Sequence, residues 1–98
     1  MSLRSVWTIQ AEAAYSALLV YLELEWGTMV ADAFEPDLAH TIALLEVFPD
    51  ADVMERHTEQ IRTIPVARQV RLFYRHTDEM VIVLEFIDTR SARFQDMR

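Results

Sequence analysis

The sequence predicts an α+β domain in which a helical hairpin packs on one face of a small antiparallel sheet, in the order β-αα-βββ. Three observations carry that expectation. A helical apolar period runs from Ala11 to Phe48 and is interrupted only at Gly27, the sole glycine. Beyond Pro49 the period shortens to two, in three runs rich in Ile, Val, Phe and Tyr. Finally, 98 residues of which 52% are apolar can build one modest core and no second domain.

Ser5–Gln10 (SVWTIQ) alternates β-branched or aromatic residues with polar ones and reads as a short first strand. Ala11, Tyr15, Leu18, Leu22 and Trp26 then form the single stripe of a first helix, which Gly27 ends. Thr28 is the expected N-cap of a second helix, whose stripe is Val30, Phe34, Leu38, Ile42 with Thr41, Leu45 and Phe48. A turn this short makes the helices antiparallel. Pro36 lies inside the second helix, and because the stripe keeps its phase across it, a kink is expected rather than a restart. Gln60–Val66, Val70–Arg75 and Met80–Ile87 read as a three-stranded meander. Its middle strand turns Val70, Leu72 and Tyr74 toward the helices and Arg71, Phe73 and Arg75 away from them. Residues 1–98 form one domain on this reading. Residues 1–3 are set aside as a cloning remnant, and residues 88–98 are taken as a loosely held polar tail.

The absence of cysteine excludes zinc ribbons, thiol nucleophiles and disulfide frameworks. One glycine excludes a glycine-rich phosphate loop. No basic leader and no apolar run of membrane-spanning length is visible, so the expectation is a cytoplasmic protein that engages no membrane. The net charge of −7 is unevenly distributed. Residues 1–55 carry Arg4 against ten carboxylates, whereas residues 56–98 carry eight arginines against six. Such a chain presents an acidic half and a mildly basic half, and the arginine forks of the basic half suit carboxylates or phosphates.

Candidate chemistry is sparse. His40 reads as a packing residue of the second helix, and His57 and His76 read as solvated loop side chains. None has the spacing of a metal site, so neither a metal nor a cofactor is expected. Glu23, Glu25, Asp50, Asp52 and Glu55 read as solvated faces and turn formers. Glu85, between Leu84 and Phe86 in the most apolar strand, is read with Val83 and Ile87 on the open face, with Arg71 or Arg75 as its counter-ion. Arg62, Arg71, Arg75, Arg90 and Arg93 come from several segments and converge on that face, beside Phe73, Val81 and Val83. RNA phosphates and an acidic peptide are both compatible with such a set.

In this order the chain resembles the RelE/ParE superfamily of toxins from type II toxin–antitoxin modules. The resemblance rests on VWT at 6–8, Ala11, Ala14, Tyr15, Tyr21-Leu22, Trp26-Gly27, Leu38, Leu45 and Pro49. It is strongest in IRTIPV at 61–66, RLFYR at 71–75, IVLEF at 82–86 and DTR at 88–90. It implies a plasmid-stabilisation type of toxin that a cognate antitoxin neutralises by wrapping a segment around it. RelE-like members cut mRNA on the ribosome, and for that activity the resemblance supplies Arg62, Arg71 and Arg90 as basic catalytic candidates. Phe94 stands where a tyrosine hydroxyl would be needed. ParE-like members inhibit DNA gyrase and need no catalytic set. The preferred reading is therefore ParE-like, directed at gyrase or a target unknown. The alternatives are a RelE-like endonuclease and a non-toxic member that only binds antitoxin. Arg62, Arg71, Phe73, Arg75, Glu85, Asp88, Arg90, Arg93 and Phe94 form the expected partner-binding set, and a homodimer is a further assembly this reading allows.

Overall fold

The structure is a computed structural model that describes residues 2–51, 54–56, 60–67 and 70–89, with the backbone alone at 54–56. A first strand, β1 (Arg4–Trp7), is shorter than its alternation suggests. Thr8 ends it, because its Oγ1 accepts the Ala11 N–H at 3.0 Å and so caps a helix that already begins at Ile9. Helix α1 (Ile9–Trp26) stops at Gly27, whose φ of 94° and ψ of 167° only glycine adopts without strain. The same residue starts the second helix, its carbonyl accepting from the Ala31 N–H. Gly27 rather than Thr28 is therefore the cap of α2 (Thr28–Val47). That helix runs unbroken through Pro36, so it does not restart there.

The buried line of α2 is Ala31, Phe34, Leu38, Thr41 and Leu45. It departs from the expected stripe at both ends, where Val30 and Phe48 are exposed. Thr41 is tolerated inside because its hydroxyl donates to the Asp37 carbonyl at 3.0 Å.

After α2 come β2 (Met54–Arg56), which the sequence pattern did not reveal, and then β3 (Ile61–Ala67), β4 (Val70–His76) and β5 (Met80–Asp88). Together with β1 they form one sheet in the order β1-β5-β4-β3-β2. The meander pairs antiparallel as expected, but β1 lies parallel to β5, so the sheet is mixed and five-stranded. The reason is directional. Leu3 donates its N–H to the Glu46 carbonyl, so the end of α2 returns to where β1 begins. From that end the meander runs out, back and out again, which leaves its third strand aligned with β1. Leu3, set aside on sequence grounds, also packs its side chain against the core.

That core lies between the hairpin and one sheet face. It joins Ala11, Leu18, Leu22, Phe34, Leu38 and Leu45 of the helices to Ile64, Val70, Leu72, Tyr74, Val81, Val83 and Phe86 of the strands. Trp7, Tyr15, Phe34 and Phe86 contribute ring contacts with centroids 5.2–6.2 Å apart. A bulge in β5 governs which side chains reach this core. Phe73 pairs with Glu85, yet Tyr74 pairs with Val83, so Leu84 is an extra residue. Val81, Val83 and Phe86 consequently all face the helices, while Glu85 and Ile87 turn away. Val81 and Val83 thus leave the open face to which strict alternation assigned them.

Candidate functional site

Strand pairing divides the arginines between the two sheet faces. Arg71 sits opposite Pro65 and Ile87, and Arg75 opposite Ile82, so both project from the face away from the helices. Arg75 is exposed. Arg71 is half-buried and donates from Nε to Thr63 Oγ1 at 3.0 Å. Between them in register lie Phe73 and Glu85. Phe73 and Ile87 are each only 3% exposed, and Ile61 packs against them as a small second core. Phe73, expected in the partner-binding set, is therefore a packed residue. Glu85 is half-buried, and its Oε1 accepts the Phe86 N–H at 3.1 Å.

Arg62 belongs to the other face. It pairs with Tyr74, whose ring lies in the helix-side core, and its guanidinium meets Asp50 Oδ1 at 3.0 Å. The same oxygen is 2.9 Å from His76 Nε2. Beside them the Tyr74 hydroxyl donates to the Pro49 carbonyl at 2.7 Å. Three side chains thus tie the turn after α2 to the end of the sheet. The His76 hydrogen bond is the main cause that holds the Asp50 carboxyl below its usual range. Partial desolvation opposes it, and the Arg62 charge reinforces it. His76, expected in a loop, is the last residue of β4, and Asp50 does more than form a turn. His40, expected to pack, is exposed on α2.

Asp88, assigned to the tail, ends β5 instead and is 8% exposed. It lines a groove of about 360 Å³ with Ala14, Ala17, Leu18 and Tyr21 of α1, and with Phe86 and Ile87. Across the hairpin, Tyr15 has its phenol pushed up from its ordinary value, first by burial and then by the nearby Glu35 carboxylate, so it remains neutral. Arg90, Arg93, Phe94 and His57 lie outside the described residues. Among the described residues no cluster of three or more His, Asp or Glu could hold a metal ion, and no helix is long and apolar enough to cross a membrane.

Of the expected nuclease candidates, Arg62 and Arg71 are separated by the sheet itself. The residues that pattern reading passed over are Asp50 and His76, together with the outward apolar side chains of the hairpin. Only the latter left a signal in the sequence, a second stripe in α1 at Ile9, Ala13, Val20 and Leu24.

A family model described as "ParE toxin of type II toxin-antitoxin system, parDE" matches residues 6–93. The chain belongs to the ParE toxin family. A solved structure titled "Chromosomal ParDE TA system from P. aeruginosa" shares the fold of this ParE-family chain with a TM-score of 0.71. It is 17% identical, and the match covers 89% of this chain and 96% of that one. No curated protein matches the sequence. The αα-hairpin, the meander behind it and the parallel first strand are thus elements of a ParE-type toxin fold.

Proposed function

We propose that this chain is the toxin of a type II toxin–antitoxin module, that it works by binding a protein target, DNA gyrase, and that a cognate antitoxin neutralises it. The match of residues 6–93 to the ParE toxin family carries the toxin reading, and the observation that favours a binding toxin over a nuclease is the separation of Arg62 from Arg71. A phosphoryl-transfer site needs its cationic groups around one phosphate. Here one guanidinium lies under the turn after α2, shared with Asp50 and His76, and the other emerges through the opposite face. That separation speaks against one scissile phosphate held by both.

We assign the antitoxin to the face carrying Arg71, Arg75 and Glu85, with Arg90, Arg93 and Phe94 as further expected contacts. Arginine forks fix the register of an acidic segment there. Both target and antitoxin place the protein in the cytoplasm. The test adds purified protein to a gyrase supercoiling assay and, separately, to translating ribosomes. Dose-dependent loss of supercoiling, relieved by the product of the neighbouring reading frame and without mRNA cuts, is expected. Codon-dependent cuts that vanish in Arg71→Ala would overturn the reading in favour of a nuclease. Antitoxin binding with neither activity would leave a non-toxic member.

A further inference from the structure

Helix α1 carries apolar residues on two sides. Ala11, Leu18 and Leu22 face the sheet and are buried. On the other side Ile9 is 82% exposed, Val20 59% and Leu24 80%. At roughly 100° per residue, Ile9, Ala13, Val20 and Leu24 fall within about 60° of arc, with Ser16 alongside. The spacings from Ile9 through Ala13, Ser16 and Val20 to Leu24 are four, three, four and four, the pattern of a helix seam. Large aliphatics stand at its ends, and the exposed small residues Ala13, Ser16 and Ala17 let another backbone approach its middle. The seam is about 22 Å long. A surface this apolar on a small domain marks a contact site.

Charge selects the occupant. Glu12 and Glu23 border the seam on one side and are both exposed. Asp32, Glu35 and Asp37 are exposed on the neighbouring helix. The only cation of residues 1–55 is Arg4, on β1. A second copy of this chain would set Glu12 and Glu23 against like charges, and an anionic lipid surface would be repelled in the same way. We infer that the outer face of α1 is a docking site for an amphipathic helix of another protein, one with aliphatic seam residues and an arginine- or lysine-rich flank. Its partner is opposite in sign to the acidic segment suited to Arg71 and Arg75, so the two surfaces do not compete.

The test uses two synthetic helical peptides of about 20 residues with the same leucine seam, one flanked by arginine and the other by glutamate. Titration of the full chain, followed by amide chemical shifts, is expected to show the arginine peptide binding more than tenfold tighter. The shifts should centre on Ile9, Ala13, Val20 and Leu24. The preference should shrink at high salt and reverse in the double variant Glu12→Arg, Glu23→Arg. Leu24→Gln alters an exposed position, so folding should persist while binding falls at least tenfold. Equal affinity of the peptides, shifts centred elsewhere, self-association abolished by Leu24→Gln, or binding to phosphatidylglycerol vesicles would each overturn the inference.

Discussion

Asp50 gathers the Arg62 guanidinium and the His76 imidazole on one carboxylate oxygen although it is itself largely exposed, and this sets how it responds to acid. A carboxyl whose pKa is lower in the folded than in the unfolded state stabilises the fold above its unfolded value and ceases to do so as pH falls through its folded value. The stabilisation from Asp50 is therefore full above about pH 4–5 and disappears at more acid pH. Asp50→Asn should lower the thermal midpoint at pH 6, and the gap from the parent should close progressively below about pH 4. A gap that stayed constant down to pH 3 would mean that Asp50 acts through something other than its charge. Tyr74 offers a neutral comparison. Removing its hydroxyl in Tyr74→Phe leaves the Pro49 carbonyl without that donor and should cost about 0.5–1.5 kcal/mol in a urea melt, with little dependence on pH. None of this cluster was legible in the sequence. Asp50 and His76 are far apart in the chain, and nothing in their local spacing shows that α2 and β4 end at the same place.

Gly27 and Pro36 determine the behaviour of the hairpin as an element. A Cβ added at Gly27 would meet nothing within 4 Å, so the cost of Gly27→Ala is confined to backbone strain. That cost should be about 1–3 kcal/mol, and a loss near zero would show that the turn relaxes freely. Pro36 sits mid-helix, where it removes one backbone hydrogen bond, and its position is exposed. Pro36→Ala should stabilise the domain by up to about 3 kcal/mol, read as a raised urea midpoint. Helices and meander were legible because each obeys one period over enough residues to be counted. What escaped were the features that break a period. The Thr8 cap turned two apparent strand residues into helix, and the Leu84 bulge moved Val81 and Val83 into the core. Strand β2, at three residues, is too short to display any period. The faces of β4 were legible, since no bulge interrupts its own alternation. Leu72→Ala should accordingly cost about 2–5 kcal/mol. Arg71→Ala should cost well under that, because its side chain is only half-buried.

For the whole molecule, the division of charge along the chain survives folding because the chain order keeps the halves apart. The acidic residues travel with the hairpin, on one side of the sheet, while Arg71 and Arg75 emerge on the other. The expected arginine face was therefore legible in part. Arg71 and Arg75 are where alternation puts them, but Arg62 is withdrawn to the helix side and Phe73 is packed. If the Arg71 side receives the antitoxin, replacing Arg71 and Arg90 by alanine should weaken the complex by more than about tenfold, chiefly through faster dissociation. Changing Glu23 and Glu25 should alter it by less than about threefold, since both lie on the opposite side of the molecule. Titration calorimetry with the neighbouring gene product decides the ranking, and the reverse order would place the antitoxin on the helices.

The parallel pairing of β1 with β5 imposes an order on synthesis. Arg4 leaves the ribosome well before its partner Met80, which is translated only after both helices and most of the meander. At about 5–20 residues per second, the first strand waits on the order of several seconds for its neighbour. During that interval Val81, Val83 and Phe86 do not yet exist, and the inward stripe of α1 has only an incomplete sheet to cover. A growing chain therefore cannot hold its finished surfaces, and both the arginine face and the groove beside Asp88 appear together when β5 docks. A partner that reads either surface therefore meets it only on the finished chain.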